Sequence, residues 1–203
     1  MTLEEKYRAV HDLSMKYYCE DTPEAKELSL SYNAGVSEEA RAIHRDSIVI
    51  DTCSFSLEGY DWHLEQAGLT GLNCTVIGTK DGPGESIRNI IDYESAILST
   101  PELILIQRAD DLLEAKRSGR TGIIIGSQSA QFLHHNDLEA AVMLFSRLGL
   151  RITTLAYNWR TFAADGCYAQ ANGGLARDGV ELVRLLEKYG VTVDLSHVGE
   201  RST

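Results

Sequence analysis

Five short apolar runs, each ending on polar residues and each set off from the next by intervening sequence, constrain this chain more than any other feature. They span residues 47–51, 73–78, 122–126, 151–157 and 191–197. Continuous apolar runs of this length read as strands buried on both faces rather than as half-buried alternating strands. Helical patterns lie between them. Residues 86–98 carry Ile87, Ile90, Ile91, Tyr93, Ala96 and Ile97, residues 110–118 stop at Gly119, and residues 136–148 stop at Gly149. Residues 179–189 form an amphipathic stretch that leads through Gly190 into the last strand. A glycine directly after a helical pattern is a common helix stop. Strands alternating with helices give a parallel sheet covered by those helices. The run 103–106 is either an accessory strand or a helix segment, which periodicity does not separate.

Five strand–helix units fall short of the eight that close a parallel barrel. They leave an open doubly wound sheet or the front part of a longer barrel. A doubly wound nucleotide binder carries a glycine-rich turn after its first strand. Here the first strand runs into Asp51-Thr52-Cys53-Ser54-Phe55-Ser56, which has none. Residues 78–84 are rich in glycine and contain Lys80, but they lack phosphate-loop spacing, and Pro83 marks a turn. The barrel is the better fit. Residues 1–46 differ in character: Leu3, Tyr7, Val10, Leu13 and Tyr17 share one helical stripe, and Ser37 caps a second short helix that starts with acids. The expected organisation is a helical extension over 1–46 and five strand–helix units over 47–203.

The formal net charge of −11 excludes nucleic acid and anionic membrane surfaces as natural partners. No apolar run approaches the roughly 20 residues of a membrane span, and the charged N-terminus has no secretory apolar core behind it. The four cysteines, Cys19, Cys53, Cys74 and Cys167, form no CxxC pair. A reduced, cytoplasmic setting is therefore expected, and a homodimer is compatible with the composition.

In a parallel barrel the C-terminal strand ends face the active site. The residues there are Asp51, Cys53 and Phe55, then Ser127, Gln128 and Ser129, then Tyr157, Asn158 and Trp159, and finally Ser196 and His197. This polar crown suits a polar small molecule. Tetrahedral zinc requires three or four N, O or S donors. The crown offers one strong candidate, His197, and one soft one, Cys53. Cys167, in the loop after the fourth strand, is a candidate for pocket lining or for plain packing.

Several segments together resemble the membrane (renal) dipeptidases, peptidase family M19. They are Ser118-Gly119-Arg120-Thr121-Gly122 within 115–126, Leu155-Ala156-Tyr157-Asn158 within 148–158, Gly174-Leu175-Ala176-Arg177-Asp178-Gly179, and Asp194-Leu195-Ser196-His197-Val198. The resemblance runs from about residue 47 to the end. It implies the front part of a (β/α)8 TIM-type barrel of the metallo-dependent hydrolase kind, continuing beyond Thr203, with a two-zinc centre that hydrolyses dipeptides. His197 matches the family's metal-binding histidine on the fifth strand. Elsewhere the match breaks: Cys53 and Phe55 stand where the family has a metal-binding His and Asp, Gln128 replaces the bridging Glu, and Tyr157 replaces a substrate-contacting His. The resemblance thus implies a dipeptidase-like metallohydrolase for a dipeptide or other small amide, with one zinc or none. Gln128, Tyr157 and Asn158 are its substrate-binding candidates. The alternative is an inactive barrel kept as a small-molecule binder or subunit, and a chain left without its remaining strands would have no stable fold.

Overall fold

The computed structural model describes residues 36–54 and 67–203. The chain divides into two units, Met1–Ser47 and Ile48–Thr203. In the first, helix α1 spans Glu38–Asp46. Ser37 Oγ accepts from Ala40 N at 3.2 Å, satisfying one of the amide donors left over at a helix start. Glu38 and Glu39 sit in its first turn and Arg45 in its last, the arrangement that the helix dipole favours. The apolar stripe from Leu3 to Tyr17 and Cys19 lie outside the described residues.

The second unit is a parallel α/β sheet. Its elements are β1 (Ile50–Ser54), β2 (Gly71–Ile77), α2 (Pro83–Ser99), β3 (Leu103–Leu105), α3 (Ala109–Ser118), β4 (Thr121–Ser127), α4 (Leu138–Arg147), β5 (Leu150–Thr154), α5 (Arg177–Lys188) and β6 (Thr192–Asp194). Every ladder is parallel, in the order β1-β2-β4-β5-β6. Strand β2 pairs along almost the whole of β4. On the other edge of β4, β3 takes Thr121–Ile123 and β5 takes Ile125–Ser127. The run left open between strand and helix is therefore a short accessory strand tucked below β5.

The five expected runs are all strands, but the first is not buried. It begins later than its apolar residues indicate, and Ile48 and Ile50 are 47% and 40% exposed. Among the described residues β1 pairs with β2 alone, so its apolar side chains lack neighbours on one side. Strand β6 likewise pairs only with β5 and is half open to solvent. Pro83 also departs from expectation: it opens α2 at the first helical position, where its missing N–H costs nothing. The bend before it is closed by Asp81, whose carboxylate accepts from Gly78 N at 2.8 Å.

Two apolar layers follow from strand alternation. Ile123 and Ile125 of β4 join Leu72, Cys74 and Leu150 under Ile90 and Ile97 of α2, Phe145 of α4 and Leu182 and Leu186 of α5. Ile124 faces the other way, into a smaller cluster with Ile106 and Ala115, flanked by Leu112 and Ile152. Gly122 belongs to that second face. A Cβ on it would collide with Ile106, so the glycine lets the chain entering α3 lie against the sheet. Gly119 ends α3 at φ +70°, where a Cβ is disfavoured.

Candidate functional site

Because all strands are parallel, their C-terminal ends lie on one rim, and the residues that follow them share it. Below the rim, β4 and β5 are joined by a buried contact of 2.6 Å between Ser127 Oγ and Thr153 Oγ1. Asn73 of β2 donates from Nδ2 to Thr52 O at 2.8 Å and so ties β1 to the sheet. Its Oδ1 is buried without a hydrogen-bond partner, held against the backbone of Gly126.

The rim residues form two groups. Cys53 and Gln128 make the first, with Gln128 Nε2 3.8 Å from Cys53 Sγ. Cys53 lies inside β1 rather than beyond its end, a consequence of the shifted strand. Phe55 lies outside the described residues. Tyr157 and His197 make the second: their rings stack with centroids 3.7 Å apart and planes 22° apart. His197 has φ +62°, one of two positive-φ residues other than glycine among those described. Such a backbone is uncommon outside glycine and persists when its surroundings hold it. Asn158 follows Tyr157, and Trp159 is 68% exposed, meeting Tyr168 edge-on at 6.0 Å.

Two crown residues prove to be internal. Ser127 and Ser129 are buried, and their hydroxyls are taken up by Thr153 and by backbone groups at the start of the next loop. A residue directly after a strand still alternates, so half of any such crown turns inward. Conversely, the sequence reading missed Asp165. It is buried in the β5–α5 loop, where Arg160 Nη1 donates to Oδ1 at 2.6 Å and Gly173 N donates to Oδ2. The hydrogen bond from Arg160 holds its carboxyl below the usual range. Its own backbone accepts from Gly199 N at 2.8 Å and donates to Ser202 Oγ at 3.2 Å, so it fastens that loop to the segment after β6. The only sequence signal was an Arg five residues before an Asp-Gly pair.

Cys167 sits at the crest of this loop and is exposed. Its Sγ lies 3.7 Å from His197 Nδ1 and 3.7 Å from Asn158 Oδ1. The cysteine beside the histidine is thus Cys167, while Cys53 contacts Gln128. Cys74 is buried in β2, and loss of hydration pushes its thiol up to about 12, which keeps it protonated. Among the described residues no three His, Cys, Asp or Glu side chains gather as a metal-binding group. None of the described helices is long and apolar enough to cross a membrane.

Residues 81–203 match the family model described as membrane dipeptidase, peptidase family M19. The dipeptidase tcpJ of Claviceps purpurea is 32% identical over 108 residues, which cover 52% of this chain and 25% of that protein. The dipeptidase verJ of Clonostachys rogersoniana is 34% identical over 96 residues, 46% of this chain and 24% of that protein. Among solved structures, an amidohydrolase from Pseudomonas aeruginosa superposes with a TM-score of 0.72 at 32% identity, over 80% of this chain and half of that one. The probable dipeptidase PvdM of the same organism superposes at 0.67 with 17% identity, which speaks for the fold alone. The chain therefore spans about a quarter of the curated relatives it matches and half of the solved ones, as the front part of a barrel would. With its strand order, its rim and the whole of its second half agreeing with that pattern, this chain belongs to the membrane dipeptidase family, peptidase family M19.

Proposed function

We infer that the protein is a dipeptidase-type hydrolase for a dipeptide or another small amide, working with an altered metal centre. Family membership supplies the reaction class. The observation that carries the substrate class is the open rim on which the Tyr157–His197 stack, Asn158 and Gln128 offer aromatic faces beside amide donors and acceptors. Tyr157 and Gln128 are half-buried, so each presents a fixed polar end to a ligand without being lost to the core. In this reading Gln128 and Asn158 bind the peptide and carboxylate groups of a dipeptide, and the stacked rings take up a side chain.

The family implies a metal, and in the resemblance it is a pair of zinc ions. The described donors do not fit such a pair. A bridge between two cations calls for a charged carboxylate, and the neutral amide of Gln128 stands in that place with its nitrogen turned to Cys53. At most one tightly held divalent ion per chain is expected. The second reading, an inactive barrel that binds small molecules, rests on the same glutamine.

The test is a panel of dipeptides and N-acyl amino acids offered to purified full-length protein loaded in turn with zinc, manganese and cobalt, alongside elemental analysis. Slow turnover with one metal or less supports the proposal. Binding without turnover under every metal favours the inactive binder. Two zinc equivalents lost together in His197→Ala would show the altered centre to be wrong.

A further inference from the structure

The loop between β5 and α5 carries a second pair of aromatic rings beside the Tyr157–His197 stack, and the two pairs differ in kind. Tyr157 and His197 lie nearly parallel with centroids 3.7 Å apart, in van der Waals contact, so no third ring fits between them. Trp159 and Tyr168 meet edge-on, 6.0 Å apart with planes at 66°. They stay 68% and 63% exposed, on the two limbs of one loop. Backbone hydrogen bonds join those limbs: Cys167 N donates to Tyr157 O at 3.2 Å and Tyr168 N to Asn158 O at 2.8 Å. Trp159 is thus one residue from Asn158 and Tyr168 one residue from Cys167, and the Cys167 sulfur touches both Asn158 and His197. One residue spans about 3.8 Å between Cα atoms and an extended dipeptide about 7 Å. A substrate seated at Asn158 therefore has the Trp159–Tyr168 pair within reach of its own side chain. The mounting is rigid. Gly166 bridges Val198, Thr161 Oγ1 donates to Leu155 O at 2.9 Å, and Asp165 fastens the base of the loop through Gly199 and Ser202. Rings fixed in advance lose little freedom when a ligand arrives.

An exposed Trp against an exposed Tyr leaves contiguous apolar ring surface in water, which marks a place where something docks. Its size says what. One aromatic side chain buries about 150–250 Å². Two of them, already in contact, offer well under the roughly 800 Å² per partner of a stable protein interface. A single ring is the better match: aromatic pairs settle at centroid distances of about 4.5–7 Å, and the open angle between the two planes lets one ring meet both. We propose that Trp159 and Tyr168 form a subsite for an aromatic side chain, so that the preferred substrates are dipeptides or N-acyl amino acids bearing one aromatic residue. It serves the side chain that the Tyr157–His197 stack does not take. The proposal rests on the reading of this rim as a dipeptide or amide site and gives that site its specificity. A remote side chain is held equally in the ground state and in the transition state, so the pair acts on KM rather than on kcat.

Ala-Ala, Phe-Ala and Ala-Phe, offered to metal-loaded full-length protein, test the subsite. One of the two phenylalanine dipeptides is expected to exceed Ala-Ala roughly tenfold in kcat/KM, about the worth of a good aromatic contact. Trp159→Ala and Tyr168→Ala should each erase most of that ratio through KM, and Trp159→Phe should keep it, since another aromatic face suffices. Equal rates for the three dipeptides, a ratio that survives both alanine variants, or a ratio lost through kcat overturns the subsite and leaves the hydrolase reading standing. Should no dipeptide be turned over, that reading fails and binding decides the subsite. By calorimetry, N-acetylphenylalanine must then bind roughly tenfold more tightly than N-acetylalanine, and Trp159→Ala must remove the difference; any other result sinks the proposal. If the alanine variants fail to fold by circular dichroism, protein labelled with 5-fluorotryptophan takes their place. The fluorine resonance missing from Trp159→Phe must shift on adding N-acetylphenylalanine and stay put with N-acetylalanine, and a resonance indifferent to both overturns the subsite. Self-association that Trp159→Phe weakens, without any preference for phenylalanine, would give the pair to a second copy of the chain and overturn it as well.

Discussion

Asp165 shows how much one buried carboxylate can organise. It receives a charged donor from Arg160 and a backbone donor from Gly173, and its main chain anchors the segment after β6. Arg160 is half exposed, so solvent weakens the ion pair itself. Asp165→Asn is expected to cost about 1–2 kcal/mol at neutral pH, measured by urea unfolding. The carboxyl's value in the fold is depressed relative to about 3.9 in the unfolded chain. Its stabilisation is therefore complete above that unfolded value and is lost as pH falls through the depressed one. Acid unfolding curves should accordingly be flatter in Asp165→Asn than in the parent, and equal slopes would assign the acid limb to other carboxylates. Gly179 poses a sharper residue-level test. Alanine there should improve helix propensity by about 1 kcal/mol. A Cβ at this site collides with the backbone carbonyl of Ala163, which cannot move aside as a side chain tip could. The clash should win, giving a net loss of about 2 kcal/mol in Gly179→Ala.

Among the elements, β2 buries its cysteine, whereas β1 and the β5–α5 loop expose theirs. Cys74 of β2 is fully buried beneath α2, and its thiol is pushed up to about 12. Cys53 and Cys167 are exposed. A brief pulse of iodoacetamide on the native, metal-free protein should modify Cys53 and Cys167 and spare Cys74 until the chain unfolds. Early labelling of Cys74 would mean that the α2 face opens readily. Helices α4 and α5 are joined at the surface by Glu139, which accepts from both Lys188 Nζ and Tyr189 Oη. That cluster is exposed, and its worth to stability is small.

On the scale of the whole second unit, protection should follow strand order. Strand β4 is flanked by β2 on one edge and by β3 and β5 on the other, with buried residues along nearly its whole length. Strands β1 and β6 each have one described partner and open side chains. Amide hydrogen exchange is therefore expected to be slowest in β2 and β4 and fastest in β1 and β6, since local opening is easiest where few apolar contacts must break. Equal protection in β6 and β4 would show that β6 has a further neighbour in solution, such as a second copy of the chain or strands beyond those described.

The amino-acid sequence alone determined the alternation of strands and helices, the parallel sheet and the sense of its rim. Apolar periodicity and glycine stops are local quantities, and local quantities survive in a linear text. Thus the helix read over 110–118 and ending at Gly119, observed as Ala109–Ser118, and the strand through Ile123–Ile125 were legible in the chain. Tertiary structure decided what depends on neighbours distant in sequence. It turned Ser127 and Ser129 inward, left Ile48 and Ile50 exposed where β1 has β2 as its one partner among the described residues, and made the 103–106 run a strand by offering it the lower edge of β4. It also exchanged the cysteine at the histidine, bringing Cys167 rather than Cys53 to His197. That exchange required a loop folded back and held by a buried carboxylate, and closure of such a loop is a property of three dimensions that no spacing in the chain announces.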